Sequence, residues 1–226
     1  MDALAQTEQH ADSLYRLYKL MTDTITVPLY NTMGNHEVFG VDPASGVPDD
    51  HPLYAEKMYE SKIGKRYYSF DHQGWHFIVL DGIEEPENET YEGFVDSEQL
   101  EWLRADLKRL NPETPVVVAV HIPLLTAYPA YDHGPGYVPS PKTAIVNARE
   151  VLDCFEDYNL KLVLQGHLHR LEVLYVDGIT FITSGAVSGA WWHGPYMDTP
   201  PGWLLIEFAG DEFEWSYIPL ETAEMN

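Results

Sequence analysis

The sequence predicts an α/β fold, built as one mixed sheet or as two packed sheets with helices against them. Three observations carry this. Apolar residues alternate between helical and extended spacing along the first two thirds of the chain. Two continuous apolar runs, VVVAVHIP from 116 and LKLVLQGHLH from 160, each follow a helical stretch and end in histidine. From 171 onward the pattern becomes strand-like runs joined by tight turns.

Residues 3–21 place Leu4, Ala11, Leu14, Leu17, Tyr18 and Met21 near one helical face. VPLYNTMGNHE then reads as a short strand entering a Gly-Asn turn, so 24–38 is expected to contain a strand. RYYSFDHQGWHFIVL (66–80) reads as a hairpin with His72-Gln73-Gly74 at its bend. Ser97 to Leu110 reads as a helix capped by Ser97, and Asn147 to Tyr158 as another. Strands are expected within 66–81, 115–122 and 160–167. The runs LEVLYVDGITFITSG and GWLLIEFAGDEFEWSYIPL supply the strand-rich end. No internal repeat is visible.

Composition removes several functions. Thirteen Lys plus Arg against 36 Asp plus Glu give a formal charge of −23. Such a surface repels nucleic-acid backbones and anionic lipid, so no nucleic-acid polymer and no membrane is expected as partner. No stretch reaches the ~18 apolar residues of a membrane span. The first twenty residues lack the basic start and apolar run of a secretory signal, and the compartment stays open. The single cysteine, Cys154, excludes an internal disulfide and reads as core.

Chemistry gathers where the histidines fall. Apolar runs lead to Asn35-His36, to His121 and to His167-Leu168-His169. In α/β sheets, functional groups collect where strand ends release the chain into loops. Imidazole suits transition metals and Asn offers a neutral carbonyl oxygen. On an extended segment, His167 and His169 would point the same way. Gly34 and Gly166 precede these residues and are expected to let the backbone turn sharply. His10, His51, His72 and His76 have no partner spacing and read as structural or surface residues.

Gly34-Asn35-His36-Glu37, then His121, then Gly166-His167-Leu168-His169 occur in the order and approximate spacing of one family. The chain resembles the calcineurin-like metallophosphoesterases, whose pattern runs Asp-x-His, Gly-Asp, Gly-Asn-His-Asp/Glu, His, Gly-His-x-His. Residues 184–208 resemble the end of the catalytic domain in bacterial secreted or periplasmic members. The resemblance implies a β-sandwich of two mixed sheets flanked by helices, with 1–226 as one catalytic domain. It implies hydrolysis of a phosphate monoester or diester, in which hydroxide activated by divalent or trivalent metal ions (Mn, Fe, Zn or Ni) attacks phosphorus in line. Asn35, His121 and His167 resemble the ligands of one ion, and His169 a ligand of the other. His36 resembles the residue that protonates the leaving oxygen, with Glu37 as its acidic partner.

The opening blocks, Asp-x-His and Gly-Asp, are absent, so the fold is expected to lack its first strands, as in a chain truncated at its N-terminus. Asp2, Asp12, Asp23, Asp71 and Asp81 are the acidic residues weighed as substitutes. One ion on Asn35, His121 and His167 is expected, with a second only if carboxylates come from elsewhere. Three readings follow: a truncated enzyme, a natural one-metal variant, or a non-catalytic metal-binding or interaction protein that retains the fold. Exposed sheet edges are expected to favour a homo-oligomer. For the substrate, Tyr128, Tyr131, His133 and Tyr137 after His121, and Trp191, Trp192 and His193 after a later strand end, offer rings for a base, aryl or sugar group. The Asn88-Glu89-Thr90 sequon carries no weight without a secretory signal.

Overall fold

In the computed structural model, residues 3–86 and 90–220 are described. Asp2 and the Asn88-Glu89 part of the sequon lie outside them. The helices are α1 (Glu8–Thr22), α2 (Glu56–Lys62), α3 (Ser97–Leu107), α4 (Tyr128–His133) and α5 (Ala148–Asp153). The strands are β1 (Tyr68–His72), β2 (Trp75–Val79), β3 (Ile83–Glu84), β4 (Glu92–Gly93), β5 (Val116–Ala119) and β6 (Leu160–Gln165). They continue with β7 (Glu172–Val176), β8 (Ile179–Thr183), β9 (Gly202–Ala209) and β10 (Glu212–Pro219).

One mixed sheet runs in the order β1-β2-β5-β6-β8-β7. Its four inner strands are parallel, and antiparallel β1 and β7 close the edges. The two-residue period of a strand assigns its faces. Val116 and Val118 of β5 and Val163 of β6 pack into the core beneath the helices. Val117 and Leu162 turn the other way, joining Trp75 and Ile182 in a second core against Leu204, Ile206 and Phe208 of β9. Helices therefore cover one face and the β9–β10 pair covers the other. The α/β class expected from the sequence is what the chain adopts; its second layer, among the described residues, is this antiparallel pair. The sharp hairpins are chemically explicit: Gln73-Gly74 and Asp177-Gly178 both take left-handed φ between paired strands, as two-residue turns demand.

Several details differ from expectation. Residues 24–38 form no strand: Pro28 lacks a donor, no strand pairs with the segment among the described residues, and Ile25, Val27, Leu29 and Tyr30 are exposed. Helix α1 buries Ala11 and Tyr15, while Leu17 and Met21 face solvent. Tyr15 anchors the helix, its hydroxyl donating to the Glu37 carbonyl at 2.6 Å. Asp96, not Ser97, caps α3, accepting from Gln99 N. Helix α5 ends at Asp153, before Tyr158, and Cys154 just beyond is only part-buried against the helix-side core. His76 is structural as expected, held between Asp71 at 2.7 Å and Asp106 at 2.9 Å.

Three buried amides clamp the loops at the strand ends. Gln99 bonds both N and O of Asp81, and Asn147 both N and O of Val95. Gln165, last in β6, accepts from Leu124 N and donates to Leu125 O and the Thr183 hydroxyl. Gln165→Leu is expected to cost about 2–4 kcal/mol, because backbone groups at Leu124 and Leu125 lose their buried partners. Urea unfolding measures this; a loss below about 0.5 kcal/mol would show that the loop finds other partners.

Arg66 sits among four carboxylates: Asp81 at 2.8 Å, Asp96 at 3.4 Å, Glu56 at 3.7 Å and Glu60 at 3.9 Å. Burial pushes the Asp81 carboxyl up to about 7, against the pull of Arg66. With the folded value above the ordinary 3.8, the stability tied to the Asp81 proton is complete below 3.8 and lost as pH rises through about 7. Above that, the charged carboxylate depends on Arg66. Arg66→Ala is therefore expected to cost about 3–5 kcal/mol at pH 8 and clearly less at pH 5, where Asp81 holds a proton. Denaturation at both pH values checks this, and an equal cost at both contradicts it.

Candidate metal centre

The parallel register of β5 beside β6 brings two histidine-bearing loops to one rim. Gly166 N donates to the His121 carbonyl at 2.9 Å, so the loops leave the sheet side by side. The third loop comes from outside the sheet. Gly34-Asn35-His36-Glu37 is a turn in which Glu37 Oε2 accepts from Gly34 N at 2.9 Å. Ala3 N donates to the His36 carbonyl, and Tyr15 to that of Glu37, fixing the turn against α1. Gly34 is needed for room rather than for φ: an added Cβ would lie 3.0 Å from the His121 ring.

These loops bring Asn35, His121 and His167 together. Asn35 Oδ1 lies 2.9 Å from His121 Nε2 and 3.2 Å from His167 Nδ1, and the two nitrogens are 3.3 Å apart. Bonds of ~2.0–2.2 Å to a shared ion place its donors roughly 3.0–3.5 Å apart, so this triangle fits one transition metal. Burial, reinforced by neighbouring histidines, pulls His121 down to about 3. Burial likewise lowers His167 to about 4, although its bond to the Lys142 carbonyl works in the opposite direction. Both rings are neutral at ordinary pH, the state a ligand needs. His167 Nε2 donates to the Lys142 carbonyl at 2.8 Å, which leaves the Nδ1 lone pair facing Asn35 and His121.

His169 stands differently. Its Nδ1 donates to the Gly189 carbonyl at 2.7 Å, and its ring lies 4.8 Å from Trp191. The expectation of an extended His-x-His pair does not hold: β6 ends at Gln165, and both His167 and His169 take left-handed φ. Gly166 has no such φ, so the strain sits on the histidines themselves. Among the described residues, no group of three or more His, Cys, Asp or Glu is placed to hold a metal; the triangle's third donor is an amide. The acidic substitutes considered from sequence are engaged elsewhere: Asp12 with Lys62, Asp71 with His76 and Asp81 with Arg66. Asp23 is the C-cap of α1.

The aromatic residues divide. Trp191 joins His169 and Tyr196, Trp192 is exposed, and both tryptophans have left-handed φ. The His133 ring packs at a tilt against that of Tyr137, their centres 4.3 Å apart. The Tyr128 ring is covered by Arg170 at 3.5 Å. The Lys142 and Gly189 carbonyls and Gln165 support the centre, and sequence reading missed all three. Backbone carbonyls leave no side-chain signal; Gln165 could have been noticed as a polar residue inside an apolar run.

The sequence profile of calcineurin-like phosphoesterases matches residues 4–171. A 3',5'-cyclic-nucleotide phosphodiesterase of Nostoc sp. is 27% identical over 127 residues, which cover 55% of this chain and 43% of that protein. The chain thus spans under half the length of that relative. The Xenorhabdus bovienii protein named "Probable cyclic nucleotide phosphodiesterase" is 25% identical over 206 residues, covering 87% of this chain and 72% of that one. A dimetal phosphatase from Danio rerio shares the fold with a TM-score of 0.53 at 16% identity, over 78% of this chain and 67% of its own. Since the matched residues span well over half the sequence and include Asn35, His36, His121, His167 and His169, the chain belongs to the calcineurin-like phosphoesterase family.

Proposed function

We propose that this protein is a metal-dependent phosphoesterase acting on a phosphate diester or monoester, with one ion held by Asn35, His121 and His167. The observation that carries this reading is the triangle of three donor atoms within 2.9–3.3 Å of one another. A divalent or trivalent transition metal, when bound, supplies Lewis acidity toward water and phosphate oxygen. The chain's own residues do the rest. The neutral rings of His121 and His167 and the Asn35 amide hold the ion, with the Lys142 carbonyl fixing the His167 tautomer. His36, in the same turn as Asn35, carries the proton for the leaving oxygen, and Glu37 keeps that turn closed. Relatives named as cyclic nucleotide phosphodiesterases make diesters the class to assay first.

A second reading, metal binding without hydrolysis, is favoured by the absence, among the described residues, of any group of three or more His, Cys, Asp or Glu placed to hold a metal. Metal content together with turnover of a chromogenic phosphodiester separates the two. Hydrolysis that appears with added metal and vanishes with chelator supports the enzyme; bound metal with no turnover at any concentration supports the alternative.

His121→Ala or His167→Ala is expected to remove most of the bound transition metal while leaving the far-ultraviolet dichroism unchanged, since each removes a direct ligand. Unchanged stoichiometry in both variants would contradict the assignment. His36→Ala should keep the metal but lower kcat by roughly 10²–10⁴, the range of a general acid. The loss should shrink for esters with very acidic leaving groups, which depart without a proton. An equal loss across leaving groups would reduce His36 to a binding role.

A further inference from the structure

Helix α1 and the segment after it carry an apolar face open to solvent. Leu17, Leu20 and Met21 stand on the outer side of α1, all more than half exposed. Ile25, Val27, Leu29 and Tyr30 follow, each 45% exposed or more. The two groups share one surface. Ile25 N donates to the Thr22 carbonyl at 2.9 Å, turning the chain at the helix end. It then runs back along the helix, where Tyr18 bonds Asn31 and Tyr15 bonds the Glu37 carbonyl.

The surroundings of this face are those of a contact. Every residue from Asp23 to Tyr30 is exposed. Yet none of the twelve residues between Asp23 and His36 carries a charge, in a chain with a net charge of −23. Loss of charged residues marks the centre of an interface, not a solvated loop. Among the described residues, no backbone N–H or carbonyl from Thr26 to Tyr30 is hydrogen-bonded. A β-prone run thus lies open as an unpaired edge, a template for another chain.

Size and charge decide what covers it. At ~150–200 Å² for a whole large side chain, the exposed fractions amount to roughly 700 Å². That exceeds the ~300–600 Å² patch of an ordinary monomer and approaches the ~800 Å² each partner buries in a stable complex. A two-fold axis lets one such face cover itself. Along α1, Glu8 and Asp12 occupy the first half and Arg16 and Lys19 the second. Antiparallel packing of two α1 helices sets the acidic half of each against the basic half of the other. A partner of one charge sign would match one half and oppose the other.

We propose that α1 and residues 24–30 form the interface of a two-fold homodimer, in which a second copy of this chain covers the face with the same residues. The contact lies away from the edges of the six-stranded sheet.

Analytical ultracentrifugation tests this, in about 0.3 M salt to screen the repulsion between two acidic chains. At ~50 µM, above the micromolar upper end for interfaces of this size, the chain should sediment at twice 25.8 kDa. Leu20→Asp combined with Val27→Asp, at positions 68% and 67% exposed, should keep the circular dichroism of the parent. It should weaken association by roughly 100-fold or more, because each copy would bury two unpaired charges. Tyr175→Asp on the edge strand β7 should leave the dimer intact. Hydrogen exchange on the parent needs no substitution, and it decides alone if the double variant fails to fold. Amides of 24–30 should exchange more slowly at ~50 µM than at ~0.1 µM. A parent that stays monomeric overturns the dimer and leaves the face to another partner. A dimer that survives the double substitution, or that Tyr175→Asp dissolves, also overturns it. So does equal exchange at both concentrations, or growth beyond two copies, the sign of a head-to-tail contact.

Discussion

The two histidines of the candidate site, His121 and His167, depend on the parallel pairing of β5 with β6. Two parallel strands end at the same rim, so histidines far apart in sequence emerge side by side. The ladder continues one step past the strands through the bond from Gly166 N to the His121 carbonyl. That bond fixes the separation of the two loops before any side chain is considered. Gln165 then ties the end of β6 to the loop that follows His121, and the imidazoles have little freedom left.

The third donor is held by other means. Asn35 lies on a turn with no place in the sheet, pinned by Ala3, Tyr15 and the Glu37 carboxylate. The segment leading into it, 24–31, is tied mainly by side chains. Tyr18 bonds Asn31, Tyr68 bonds the Asn31 carbonyl, and Tyr30 stacks on Phe70 at 3.6 Å. The three donor atoms thus combine two on a rigid ladder with one on an independently anchored loop. Preorganisation of Asn35 therefore rests on α1 and on contacts to the edge strand β1.

An acidic chain that handles phosphate must keep its own carboxylates away from the reacting group. Here the acidic side chains nearest to suspicion are paired with cations or with His76, and the donors at the centre are neutral. Neutral donors, as a rule, leave the full charge of an ion available to an anion. The same logic explains why carbonyls of Lys142 and Gly189, rather than carboxylates, orient His167 and His169.

By itself the sequence determined the α/β class, the hairpin at Gln73-Gly74 and the runs that became β5 and β6, because apolar periodicity and turn chemistry are local. It also marked Asn35, His121 and His167 as one group, since their residue types and order follow the family's pattern. It misjudged 24–38, where apolar, strand-prone residues suggest a strand but pairing needs a neighbour that local composition cannot supply. It misjudged the outer face of α1 for the same reason: helical spacing tells which residues share a face, not which face is covered. Only the tertiary structure decided the left-handed backbone at His167 and His169 and the carbonyls that set their tautomers. Those are properties of groups brought together from distant loops, and no stretch of sequence contains them.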